Sequence, residues 1–137
     1  MQGENFKLGG DYPANEFIVG SGRNALLCRY QAEKRILSKQ DQITLEWAGV
    51  YKHYHAAMMR TAIIGKVSNK QLKMHKITVQ ALKECEKILK PNKSMSQVFN
   101  SYKNVMKNFG FEHAKLNACG YALGARFSPS WMEREMF

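Results

Sequence analysis

QITLEWAGVYKHYHAAMMRTAII, residues 42–64, is the stretch on which the fold turns. Ile43 and Leu45 alternate with Thr44 and Glu46, the period of two that a half-buried strand shows. This predicts a strand over 42–50 and places Glu46 on the face opposite Leu45. A second strand is predicted over 54–64, and Gly65 ends the hairpin-like pair.

Toward the N-terminus, residues 16–19 (EFIV) read as a short strand stopped by a Gly20-Ser21-Gly22 turn. Residues 25–30 (ALLCRY) read as a second strand, and the charged stretch 31–40 as a loop. The first dozen residues are polar and Gly-rich, so 1–14 are expected to be poorly ordered and 15–137 to form the domain. Toward the C-terminus, Ser68 is placed to cap a long helix that Pro91 cannot continue, so its end is expected near Lys90. Met74, Ile77, Ala81, Cys85 and Ile88, three or four apart, mark its inward stripe. Ser94-Met95-Ser96-Gln97 fits a capping box. The helix it opens carries Val98, Tyr102, Val105, Met106 and Phe109 inward and stops at Gly110. A small-residue turn follows at 118–124, then strand-like sequence with exposed-looking Trp131, Met136 and Phe137. Strands, two helices and further strand-like sequence predict an α+β domain, an antiparallel sheet with two helices packed on one face.

Hydrophobic residues make up 45% of the 137 and charged residues 23%, an ordinary globular balance that excludes a disordered chain. No apolar run is long enough to cross a bilayer, and the start lacks the basic-then-apolar layout of a secretory signal. A soluble, cytoplasmic protein with no membrane partner is expected. The three cysteines, Cys28, Cys85 and Cys119, have no paired spacing, which argues against a disulfide framework and against a Cys-only zinc site. The formal charge of +10 is compatible with nucleic acid, but the lysines are spread at helix-surface spacing without a recognition motif. A solvated basic face is the expectation, with nucleic acid not expected as a partner.

Three segments, in order, resemble the creatinase/aminopeptidase ("pita-bread") hydrolases. FIVGSGRNA (17–25) is similar to that family's early strand and turn, after which a histidine usually precedes an aromatic; here Arg29 precedes Tyr30. TLEWAGVYKHYHAAMMRT (44–61) looks like the pair of strands that normally carries two metal-binding aspartates ahead of an Arg-Thr; matched by position these are Glu46 and Ala57, with Arg60-Thr61 kept. GYALG (120–124) falls where the family has a Gly-His-Gly-x-Gly turn, and its metal-binding histidine is here Tyr121. LLCRY, LEWAGVY with YHA and MMRT, and CGY with PSWM resemble the ectoine hydrolase branch. The resemblance implies a truncated pita-bread catalytic domain over 15–137, from a homodimeric parent that opens the cyclic amidine ring of ectoine. It implies that the family's two glutamate ligands would lie beyond Phe137 and that this chain is inactive alone.

The substitutions decide the chemistry expected. A two-metal hydrolase needs carboxylates and imidazole around two cations and a bridging water. Ala57 offers no ligand atom, Tyr121 is a poor replacement for imidazole, and Arg29 would oppose a cation, so no metal or other cofactor is expected. His53 and His55 form an H-x-H pair that can ligate zinc when both lie on one strand face, but no third ligand is near in sequence, and a partly exposed surface pair outweighs a metal site. Glu46 is the leading catalytic candidate, as nucleophile on the amidine carbon or as base on a water, against the alternative of a hydrogen-bonded strand glutamate. His55 is a candidate for proton transfer, and Tyr121 for orienting a ring nitrogen. Arg29, Arg60 and Arg126 are candidates for holding the carboxylate of a small-molecule substrate, because a guanidinium pairs with it bidentately. Two other functions compete: an Xaa-Pro-type metallopeptidase, which the lost ligands oppose, and a non-catalytic pita-bread module that binds protein or RNA, which the charge suits.

Overall fold

Alternating β-branched and aromatic residues fold the central stretch into an antiparallel hairpin. A computed structural model describes residues 1–26, 35–134 and 136–137. Its β2, Asp41–Tyr51, and β3, Tyr54–Ile64, pair along their whole length, with Glu46 opposite Met59, Ala48 opposite Ala57 and Val50 opposite His55. Lys52 and His53 make the turn at φ 48° and 65°. Two successive positive-φ residues give a turn whose twist matches that of the strands it joins. Gly65, at φ +85°, ends β3 where an added Cβ would lie 2.5 Å from the Lys39 carbonyl oxygen.

The short strand expected at 16–19 is β1, Ile18–Ser21, antiparallel to β2 with Ile18 opposite Glu46, so the sheet runs β1-β2-β3. The strand expected over 25–30 does not begin there: Gly22–Leu26 form a 3-10 turn, and residues 27–30 lie outside the described residues. Gly22 at φ +58° swings the chain back, and a Cβ on Gly20 would come within 2.5 Å of the Asn24 carbonyl oxygen. Such a reversal needs glycine.

The Gly-rich N-terminal segment contains a helix, α1 (Gln2–Lys7), that polar composition alone does not signal. Asn5 ties it down: its Oδ1 accepts from the Val50 N–H (3.1 Å) and its Nδ2 donates to Asp11 O (2.7 Å). The Asp11 N–H then donates to Val50 O at 2.9 Å, so both outward backbone groups of Val50 are satisfied where β1 no longer covers β2. On the far side of the hairpin, the chain at 124–126 runs along the start of β3. The His55 N–H donates to Gly124 O (3.2 Å) and the Arg126 N–H to His53 O (3.0 Å). Ile18, Ala48, Val50 and Trp131 are buried in this sheet unit.

The second compact unit, Ser68–Tyr121 with Phe137, is helical. Ser68 and Ser94 accept from the Gln71 and Gln97 N–H, and each Gln side chain returns the bond to its cap, opening α2 (Asn69–Ile88) and α3 (Met95–Asn108). Ile77 and Ala81 pack with Val105 and Met106, flanked by Tyr102 and Phe111. Met74 and Phe109 are exposed rather than inward; Phe109 is already the C-terminal cap, beyond the last turn of the apolar stripe. The architecture is α+β. No helix among the described residues is long and apolar enough to cross a membrane.

Candidate functional site

Strand alternation sorts the expected site residues before any side chain is considered. Glu46, Ala48 and Val50 share one face of the hairpin with Met59, Ala57 and His55, their register partners. Leu45, Trp47 and Arg60 point to the other. Glu46 is half-buried, between the buried Ile18 on β1 and the exposed Met59 on β3. One rung on, Ala48 is fully buried and faces Ala57. Where the resemblance puts a second carboxylate, this face carries a methyl group.

His55 lies two rungs further, about 14 Å along the strand from Glu46 at ~3.4 Å per residue. Its ring is buried, with 7% exposure. Nε2 accepts from the Ala14 N–H at 2.9 Å, which requires an unprotonated Nε2 and assigns the neutral ring's proton to Nδ1. Nδ1 is itself buried and has no hydrogen-bond partner among the described residues. His53 does not share the strand with it: it occupies the turn, its ring 4.3 Å from that of Phe127 and its N–H donating to Asp11 Oδ2 (3.1 Å). The turn therefore separates the two imidazoles of the H-x-H pair.

Of the candidate arginines, the two among the described residues lie away from the face that carries Glu46. Arg60 is on the opposite face, exposed, with Nη1 donating to Met59 O at 2.8 Å. Arg126 is anchored beside the hairpin turn, where Tyr12, His53, Phe127 and Phe6 line a cavity of about 440 Å³ with it. Arg29 lies outside the described residues. Tyr121 closes the helical unit, next to Gly120, whose N–H donates to Phe137 O (3.1 Å) and whose missing Cβ leaves room for the Phe137 ring. Among the described residues no group of three or more His, Cys, Asp or Glu converges on one point, and Ala57 has no donor atom. Among the described residues the donor set does not fit a pair of divalent cations.

Two contacts had no signal in the sequence. The Ala14 N–H holds the His55 ring across the sheet unit, and Trp131, exposed-looking in PSWM, has 1% exposure with its N–H donating to Asn15 Oδ1 (3.1 Å). Both link segments remote in sequence, which no local pattern reveals.

The sequence profile of metallopeptidase family M24 matches residues 1–134. Ectoine hydrolase of Halomonas elongata is 27% identical over 129 residues, covering 94% of this chain and 32% of that protein. An Xaa-Pro dipeptidase of Pyrococcus furiosus is 22% identical over 116 residues, covering 85% of this chain and 33% of the relative. Among solved structures, an X-Pro aminopeptidase from Thermotoga maritima superposes with a TM-score of 0.81 at 22% identity, over 90% of this chain and 35% of that one. The chain thus spans about a third of the length of these relatives.

Proposed function

The chain belongs to metallopeptidase family M24, and from that premise we propose that it forms part of a hydrolase that opens the cyclic amidine ring of ectoine without the family's metal pair. The observation that carries this reading is the presence on one sheet face of both a retained carboxylate, Glu46, and, one rung away, the methyl group of Ala57. The likeness to ectoine hydrolase supports the substrate. In this reading Glu46 attacks the amidine carbon to give an ester-like intermediate that water resolves, or it deprotonates the attacking water. Tyr121 orients the ring nitrogen, and Arg29 supplies the guanidinium for the substrate carboxylate, a task that Arg60 on the opposite strand face and Arg126 beside the hairpin turn are not placed to share with Glu46. His55 serves proton transfer only if the Ala14 contact opens; otherwise it positions the strand. The working enzyme in this proposal is a cytoplasmic homodimer.

The test is hydrolysis of ectoine by the complete catalytic domain, with the acetylated diaminobutyrate read by mass spectrometry. Glu46→Gln should abolish turnover and leave the thermal transition in place. Undiminished turnover in that variant removes both roles for Glu46. A mass adduct on the peptide holding Glu46 selects the nucleophile over the base.

The Xaa-Pro dipeptidase likeness favours a second reading, a metallopeptidase acting on Xaa-Pro bonds. It requires two stoichiometric divalent ions and cleavage of a proline dipeptide, and that pair of results would displace the ectoine proposal.

A further inference from the structure

Tyr12 and Phe127 keep 76% and 69% of their surface exposed, although both border the cavity of about 440 Å³ that Phe6, Asp11, His53 and Arg126 also line. Small-molecule sites run from roughly 300 to 1,000 Å³. The rings come in two tilted pairs, Phe6 with Tyr12 at 4.7 Å between centroids and His53 with Phe127 at 4.3 Å. Ring surface left in water at the mouth of a cavity is surface that a ligand can cover. The cavity is at the turn end of the hairpin; from Glu46 to Tyr51 alone β2 runs roughly 17 Å at ~3.4 Å per residue.

One turn residue, His53 at φ 65°, docks both charged groups of the wall. Its N–H donates to Asp11 Oδ2 (3.1 Å), and its carbonyl accepts from the Arg126 N–H (3.0 Å). Asp11 Oδ1 has no partner among the described residues, and the Arg126 side chain makes no hydrogen bond or ion pair with any of them. A carboxylate and a guanidinium therefore border one cavity without neutralising each other. We infer that this cavity binds a free aromatic α-amino acid, its ring against Tyr12 and Phe127, its carboxylate on Arg126 and its ammonium on Asp11. A guanidinium takes a carboxylate bidentately, and an ammonium bound to a carboxylate is the complementary charge-assisted contact. An added ring packs offset or edge-on against those already present. A ligand with only an anionic head would suit Arg126 and be opposed by Asp11, and one with only an amine would meet the reverse, so the pair selects a zwitterion. The site does not depend on the ectoine reading.

The test is isothermal titration calorimetry of the full chain with L-phenylalanine, with phenylpropionate, which lacks the ammonium, and with phenethylamine, which lacks the carboxylate. L-Phenylalanine should saturate a single site and bind about tenfold more tightly than either analogue, the worth of one charge-assisted hydrogen bond. Arg126→Gln keeps the backbone N–H that docks on His53. It should weaken L-phenylalanine by on the order of tenfold and leave phenethylamine unchanged. Phe127→Ala should weaken all three compounds. Absence of saturable heat with L-phenylalanine up to its solubility overturns the site. Equal affinity for the three compounds, or an Arg126→Gln variant that holds L-phenylalanine undiminished, overturns the amino-acid assignment, because ring contact alone then accounts for binding. The three titrations of the unsubstituted chain decide the matter even where a variant fails to fold.

Discussion

Asp41 opens β2 with its carboxylate almost wholly shielded, and Arg35 Nη1 meets it at 2.6 Å. That hydrogen bond, with a second from the Ser38 N–H, lowers its pKa from 3.8 to about 2. A depressed folded-state pKa contributes stability above the unfolded value and loses it as pH falls through the folded one. Asp41→Asn should therefore lower the melting temperature at pH 7. The gap to the unsubstituted protein should close between about pH 4 and 2; a gap unchanged across that window would show that the ion pair is not its source. His55 gives a second expectation at this scale. His55→Ala removes the acceptor of the buried Ala14 N–H and should destabilise by about 1–3 kcal/mol in urea unfolding. Neither arrangement was legible beforehand, because Arg35 and Asp41 fall in or beside a stretch read simply as charged loop. For His55, the choice between proton carrier and acceptor turns on a partner 41 residues away.

Helices and strands were more legible than side chains, because their signals are local. Each serine cap lies three residues before its glutamine, and the alternation at 43–46 fixed which face Glu46 shares. Ser68→Ala and Ser94→Ala should each cost about 1 kcal/mol in chemical denaturation, the ordinary worth of an N-cap. The hairpin turn points the other way. Lys52 at φ 48° occupies a conformation that asparagine tolerates better. Lys52→Asn should raise stability by several tenths of a kcal/mol, and a loss instead would mean that the Lys52 side chain contributes more than the backbone relief. The expected start of the second strand at Ala25 shows the limit of local reading. ALLCRY has strand composition, yet its first two residues complete a 3-10 turn set by Gly22.

For the whole chain, the order of three motifs was enough to identify the pita-bread fold, since their spacing records a topology rather than a local preference. The site was less legible: its proposed members are divided between the two compact units and the residues outside the description. The donor set still supports a whole-molecule expectation. Titration with manganese, cobalt or zinc followed by gel filtration should retain fewer than two ions per chain, because Ala57 and Tyr121 replace the expected aspartate and histidine. Two tightly held ions would reopen metal chemistry. The contact of Asn5 and Asp11 with Val50 also bears on handling the protein. Trimming what looks like a dispensable glycine-rich leader would bare an amide and a carbonyl on the central strand, and the shortened polypeptide would tend to stick to its own copies.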